Sequence, residues 1–247
     1  MSNTYSIYNN DSYEQIKEFK RIGLKVNHII TDPPYDISKK NNFHTLANRH
    51  GIDFGEWDKD FDLYSWIKEY GELIDKNGSF IIFCSYRFLS YICDCLEENG
   101  FEVKDLLEWE KTNPMPRNIN RRYVQDKEFA IWAVKKNARW TFNKDENCKY
   151  LRSTFKYPVV QGKERFSHPT QKSIKLMEDI IKIHTNPNDV ILDPFMGTGT
   201  TGEASLNLGR NFIGVELNKD YFKIAENRLQ FKGEKTYEKS IKKQKNS

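Results

Sequence analysis

Cysteine is scarce in this 247-residue chain, and the four present show no pairing pattern. Cys84, Cys93, Cys95 and Cys148 contain no CxxC unit, and Cys93-x-Cys95 alone is too sparse for zinc, so no metal site and no disulfide framework is expected. Long apolar runs are also missing: no stretch approaches the ~20 residues of a membrane span. Met1 to Asn10 lacks the charged-then-apolar pattern of an export signal. These absences point to a cytoplasmic protein in a reducing compartment, with no membrane contact.

What is present is unevenly charged. The net charge is +4, yet Lys111 to Lys172 holds 15 Lys or Arg against five Asp or Glu. The residues from Phe231 to Ser247 add six Lys against two Glu, and the rest of the chain is acidic. A basic middle on an acidic body suggests a localised polyanion-binding face. Trp140, Phe142, Tyr150, Phe155 and Tyr157 interleave with these cations, as suits stacking on bases. A merely solvated charged surface is the alternative.

Apolar periodicity alternates between strand and helix. Strands are predicted at Tyr5–Tyr8, His28–Thr31, Ser79–Cys84, Glu102–Trp109, Glu128–Val134, Asp189–Leu192 and Asn211–Val215. Helices are predicted at Ser12–Arg21, Leu63–Ile74, Tyr86–Asn99, Ser173–His184, Gly202–Leu208 and Tyr221–Leu229. The pattern predicts an α/β fold with a doubly wound, mostly parallel sheet. One domain over 1–230 accounts for it. Two stretches resist the scheme: a polar loop over 36–61, and a basic, aromatic insertion over 137–167. Connections of that length are usually functional or disordered. The Lys-rich tail, 231–247, is expected to be disordered.

Two motifs follow predicted strands. Asp193-Pro194-Phe195-Met196-Gly197-Thr198-Gly199-Thr200-Thr201 joins a strand to a helix through a glycine-rich turn, where backbone can approach a ligand at the sheet's carboxyl edge. No lysine follows Gly199, which disfavours a nucleoside triphosphate. Glu216 ends the next strand, 23 residues beyond Asp193, at the spacing where nucleoside-binding folds grip ribose hydroxyls. The second motif is Asp32-Pro33-Pro34-Tyr35. Asp32 with a backbone carbonyl of Pro33 or Pro34 can accept both hydrogens of an aromatic amine, whose nitrogen is otherwise a poor nucleophile. Tyr35 would stack on the ring that carries it.

Together the tetrad and the glycine loop resemble those of amino-methylating DNA methyltransferases in the circularly permuted (beta-class) arrangement, where the catalytic motif comes first. The likeness spans Tyr5 to Leu229. It implies a Rossmann-like methyltransferase fold and S-adenosylmethionine as cofactor. Asp193, Phe195, Gly197, Gly199, Thr200 and Glu216 would hold the donor. The segment containing His168, Thr170 and Lys172 resembles the one that completes the donor's methionine end. Asp11 stands where the family places a carboxylate toward the donor's adenine ring, though a plain helix N-cap reads equally well.

The resemblance also implies DNA as partner, contacted by Arg117, Arg121, Arg122, Arg139, Arg152 and Lys156. The substrate would be double-stranded and also single-stranded DNA, with room for a homodimer. In the family, Asp at the tetrad's first position goes mostly with adenine and Ser with cytosine amino groups. A ring-carbon methyltransferase would need a Pro-Cys nucleophile, which is missing. The loop over 36–61, with Asn42-Phe43-His44-Thr45, is similar to the short companion methylases of GATC restriction systems. Transfer to a cytosine amino group, to RNA or to protein are the rivals within enzymes. A non-catalytic DNA-binding module with a vestigial donor pocket is the rival outside them.

Overall fold

In the computed structural model, which describes residues 3–34, 63–116, 118–161, 171–230 and 232–235, nine strands join in one sheet. Strand β1 (Thr4–Asn9) leads into helix α1 (Ser12–Arg21) and strand β2 (Val26–Thr31). Next come α2 (Leu63–Gly71), β3 (Ile74–Cys84), α3 (Leu89–Glu98), β4 (Phe101–Lys111), β5 (Lys127–Lys135) and β6 (Thr154–Tyr157). The chain continues through α4 (Ile174–His184), β7 (Val190–Asp193), α5 (Thr200–Asn207), β8 (Asn211–Glu216), α6 (Lys219–Leu229) and β9 (Glu234–Lys235). The strand order is β6-β4-β5-β3-β2-β7-β8-β1-β9. The pairs β3–β5 and β4–β5 are antiparallel and all other pairs are parallel.

Buried side chains of β2 alternate between two layers. Ile29 packs with Phe19 of α1, Trp66 and Tyr70 of α2 and Leu96 of α3, whereas Ile30 packs with Leu176, Met177 and Ile180 of α4. A third apolar cluster seats Leu206 of α5 and Ala225 and Leu229 of α6 on Tyr5 and Phe212. This two-sided burial is why β2 reads as a continuous apolar run. No helix among the described residues is long and apolar enough to cross a membrane.

Permutation is visible in the pairing. N-terminal β1 lies beside C-terminal β8 in parallel register, Tyr5 opposite Phe212 and Asn9 opposite Glu216. The first and last strands of the predicted set thus become neighbours.

Four expectations needed correction. The helix predicted to Ile74 stops at Gly71, because Leu73 accepts a hydrogen bond from the Val26 amide (3.0 Å) and Ile74 already pairs with Val26. Gly78, which follows the predicted helix and would suit its end, lies inside β3, where a Cβ would sit 2.1 Å from the Asn27 carbonyl oxygen. β6 falls within the stretch read as lacking periodicity; it is a four-residue edge strand paired with β4 alone. The tail is ordered for at least two residues, since Glu234 and Lys235 pair with Thr4 and Tyr5.

Candidate active site

Because β2 and β7 are adjacent and parallel, their carboxyl ends meet. The Thr31 hydroxyl donates to Asp193 Oδ1 at 2.7 Å, tying the tetrad's strand to the glycine loop's strand. Above them opens a cavity of about 900 Å³. Asp32, Pro33 and Pro34 line one side, Asp193 to Thr198 the floor, and Asp11 and Glu216 the far side.

The loop is shaped by its own backbone. Gly197 and Gly199 take φ of 54° and 82°, the left-handed region that glycine occupies without steric cost. Phe195 N–H donates to Asp193 Oδ1 (3.1 Å) and Met196 N–H to the Val215 carbonyl (3.0 Å). Glu216 holds the loop from the other side: Oε2 accepts from Gly197 N–H at 2.9 Å and Oε1 from Asn218 N–H at 2.7 Å. The Leu217 amide acts on the same carboxylate, and with about four acceptor positions in all, one further hydroxyl can still be received. Burial pushes the Glu216 carboxyl up, against these backbone hydrogen bonds.

Gly199 is a correction. It does not line the cavity; a Cβ there would meet Ala225 Cβ of α6 at 3.1 Å, so its demand is for conformation and packing. Thr200 does line the cavity, with its Oγ1 accepting from Arg228 Nη1 at 2.9 Å. Phe195 lines it too and packs on Trp66 at 5.5 Å. Asp11 caps α1, accepting from Tyr13 N–H (2.7 Å) and Glu14 N–H (3.3 Å), and it also borders the cavity. It arrives there because β1 lies beside β8, with Asn10 N–H donating to the Glu216 carbonyl at 3.2 Å.

Asp193 is buried, and burial raises its carboxyl to about 6 despite hydrogen bonds from Thr31, Thr201 and the Phe195 amide. A carboxyl raised in the folded state contributes stability below its unfolded value near 3.8, and that contribution is lost as pH rises through about 6. Urea unfolding of the wild type and Asp193→Asn should therefore diverge. Between pH 4 and 7.5 the wild type should lose roughly 2 kcal/mol relative to the variant. A difference independent of pH would show Asp193 to be ionised throughout.

The cavity's other side is a charge network. The Lys172 ammonium, buried, ion-pairs with Asp32 Oδ2 and reaches Glu128 Oε2 at 3.0 Å. Lys111 meets the other Glu128 oxygen at 2.7 Å. Burial opposes the Lys172 ammonium, but the two carboxylates outweigh it and hold the group above the ordinary lysine range. Burial likewise opposes the Glu128 carboxylate, and Lys172 and Lys111 prevail, holding it down at about 2. Lys172, expected at the donor's methionine end, borders the same cavity as the glycine loop and faces Asp32 there. Glu128 and Lys111 were missed as site residues. Only the β4–β5 pairing brings these strand ends together, and no local sequence signal marks them. Cys84 also lines the cavity, but burial, reinforced by Asp32, pushes its thiol up to about 12, so it is no nucleophile.

The basic residues divide. Arg121 and Arg122 are exposed on the β4–β5 connection, whose return from Val124 to Phe129 lines the cavity. Lys156 is exposed on β6 and pairs with Glu110 at 2.9 Å. Arg152 precedes β6 along the sheet edge, near the Tyr150 ring (5.7 Å). Arg139 lies apart from these: it follows β5 at the sheet end opposite the cavity, its amide donating to Asn77 Oδ1 (3.0 Å).

The first part of the 137–167 insertion lies at that same far end, where Asn143 N–H donates to the Ile183 carbonyl (2.7 Å) at the end of α4. Its aromatics are already engaged there. Lys104 sits 3.9 Å over Trp140, and Phe142 stacks on Trp132 at 5.6 Å. Tyr35, His168, Thr170, Arg117, the loop over 36–61 and residues 162–167 of the insertion lie outside the described residues.

A glycine loop, an acidic strand end and an acceptor carboxylate in one cavity, at the carboxyl edge of a doubly wound sheet, define an enzyme of the nucleoside-donor, group-transferring class. The chain belongs to the DNA methylase family of N6- and N4-directed methyltransferases, whose model matches residues 26–227. The Type II methyltransferase M2.DpnII of Streptococcus pneumoniae is 32% identical, over 94% of this chain and 92% of that protein. Among solved structures, M1.HpyAVI in complex with SAM is 55% identical with a TM-score of 0.78, covering 92% of this chain and 99% of the other. The cytosine-N4-specific PvuII DNA methyltransferase shares the fold at 17% identity and a TM-score of 0.68, over 92% of this chain and 87% of that one. The protein is a site-specific DNA methyltransferase.

Proposed function

We propose that this enzyme transfers the methyl group of S-adenosylmethionine to the exocyclic amino group of adenine within a short DNA sequence. The observation that carries the reading is the meeting of Asp32 and the glycine loop in one cavity, joined through Thr31 and Asp193. The residues fit the donor. Glu216 has acceptor capacity for a ribose hydroxyl, Asp11 borders the same space, and about 900 Å³ is at the upper end of small-molecule sites. That leaves room for an everted base. When bound, S-adenosylmethionine supplies an electrophilic methyl group.

The chain's own groups act on the acceptor. Asp32 and a carbonyl of Pro33 or Pro34 accept the amino hydrogens, draw the lone pair out of the ring and stabilise positive charge as it develops on nitrogen. The prolines stiffen the backbone that presents those acceptors. Tyr35 would stack on the base, which must leave the duplex to be reached. The nitrogen gains a methyl group and sheds a proton, with Asp32 adjacent to receive it. Mass analysis of nucleosides from a plasmid host expressing the enzyme tests the reading. Adenine carrying an amino methyl group is expected; amino-methylated cytosine would overturn it.

Sequencing the same plasmid reads the target. GATC, in a companion methylase of a restriction system, is the reading supported by the relatives M2.DpnII and M2.MboI, each about a third identical. M1.HpyAVI stands nearer in sequence and bears a different name, which makes that sequencing decisive. Action on single-stranded as well as duplex DNA, a homodimeric assembly and a cytoplasmic location complete the proposal.

DNA is proposed to lie over the β4–β5 connection. Asn118, at φ 52°, turns the chain so that its carbonyl accepts from Arg121 N–H (2.8 Å) and Arg122 N–H (3.1 Å). The turn leaves Ile119 and Tyr123 exposed beside both arginines. Changing Arg121 and Arg122 to Gln should reduce the slope of log affinity against log salt by about two, one per phosphate contact. Arg139→Gln, at the far end of the sheet, should leave it unchanged. The opposite pattern would move the DNA to the other edge.

A further inference from the structure

We infer that Lys172 is a positioning residue for Asp32, held in place by Glu128 and Lys111, and not part of the donor site. The inference rests on Asp32 being the catalytic acceptor. The four groups alternate in sign, from Asp32 to Lys172 to Glu128 to Lys111, and come from four separate parts of the fold. Lys172 lies just before α4, Asp32 just after β2, Lys111 ends β4 and Glu128 is near the start of β5.

A buried ammonium costs several kcal/mol unless its donors are satisfied by anions. Here two carboxylates supply that, and the Phe83 ring lies 4.9 Å away on another side. The cost makes sense if the ammonium has work to do. An acceptor for an amine must hold its direction while the nitrogen changes geometry, and a displacement of ~1 Å can cost on the order of 100-fold in rate. With Oδ2 of Asp32 on Lys172, the carboxylate plane cannot swing. With Glu128 held by Lys111, Lys172 in turn cannot follow solvent or substrate. Lys111 and Glu128 also flank the connection that carries Arg121 and Arg122, so the same ion pair closes the base of the proposed DNA-facing loop.

The test compares Lys172→Met, Lys172→Arg and Glu128→Gln with wild type on one DNA substrate. Donor affinity is read by calorimetry and kcat by methyl incorporation at saturating donor and DNA. Lys172→Met should lose ~100-fold in kcat with donor Kd within about threefold of wild type. Lys172→Arg, which keeps the charge, should recover at least about a tenth of wild-type kcat. Glu128→Gln should lose about 10-fold in kcat, again with donor Kd unchanged. A tenfold or larger rise in donor Kd with kcat preserved in Lys172→Met would overturn the inference and return Lys172 to the donor site. If Lys172→Met does not fold, Lys172→Arg with weakened donor binding and native kcat has the same force. An Asp32→Ala variant in the same series separates the two ideas. If it stays active, the catalytic reading fails; if it is dead while Lys172→Met turns over normally, only the positioning role fails.

Discussion

Asp32→Ala is expected to slow methyl transfer by about 10³-fold or more while leaving the donor bound. One preorganised acceptor is typically worth 10²–10³-fold, and this carboxylate both localises the amine lone pair and faces the charge that follows. It is also the outer anion of the Lys172 network, so its loss leaves a buried ammonium with Glu128 alone. Asp32→Asn serves as the partner variant, since it keeps the volume and one acceptor oxygen but loses the charge. Single-turnover methyl incorporation measures chemistry apart from product release. Calorimetry on the same samples should still report donor binding, because Glu216, Asp11 and the glycine loop stand across the cavity. Near-native turnover in Asp32→Ala would end its assignment as acceptor.

Glu216→Ala should do the reverse, weakening the donor by about 10²-fold or more while kcat at saturating donor changes little. The side chain has two tasks in the donor-free protein: its oxygens receive the amides of Gly197 and Asn218, so it holds both the loop and the turn after β8. Hydrogen bonds to a charged acceptor contribute ~1.5–3 kcal/mol each, and truncation leaves both donors without that acceptor. Any ribose contact is lost in addition. Glu216→Gln keeps one acceptor oxygen and should fall between. Calorimetric titration decides it; a donor Kd within threefold of wild type in Glu216→Ala would take the ribose contact away from this residue.

The donor half of the site was legible because its signal is local. Asp193 to Thr201 carries its own turn chemistry, with glycines at the two positive φ values and a strand before and a helix after. Glu216 followed from spacing, since one helix and one strand of ordinary length separate it from the loop. Asp11 was legible only in part. An N-cap can be read from Asp before a periodic helix, but its place at the cavity depends on β1 pairing with β8, 207 residues away.

The acceptor half was legible only at Asp32. Lys172 was placed at the cavity by the resemblance of its segment, but its pairing with Asp32 was not, and Lys111 and Glu128 looked like ordinary strand ends. Arg139 parts from Arg121 and Arg122 for a related reason: composition groups the three, but β5 runs antiparallel and carries Arg139 to the far end of the sheet. Along a single chain the two ends of one strand look alike. Only the direction of pairing tells which faces the site.

Turn chemistry, apolar period and motif spacing are interactions within a few residues or one supersecondary unit, and these the sequence by itself determined: the α/β class, the Asp32 tetrad and the donor loop with Glu216. The tertiary structure alone decided which charges meet. Lys172 finds Asp32 and Glu128, Lys111 closes the network, and Gly199 faces α6 instead of the cavity. Those contacts join residues up to 140 positions apart. An ion pair of that kind leaves no trace in either neighbourhood, because each partner alone is an ordinary charged residue until the sheet excludes water around them both.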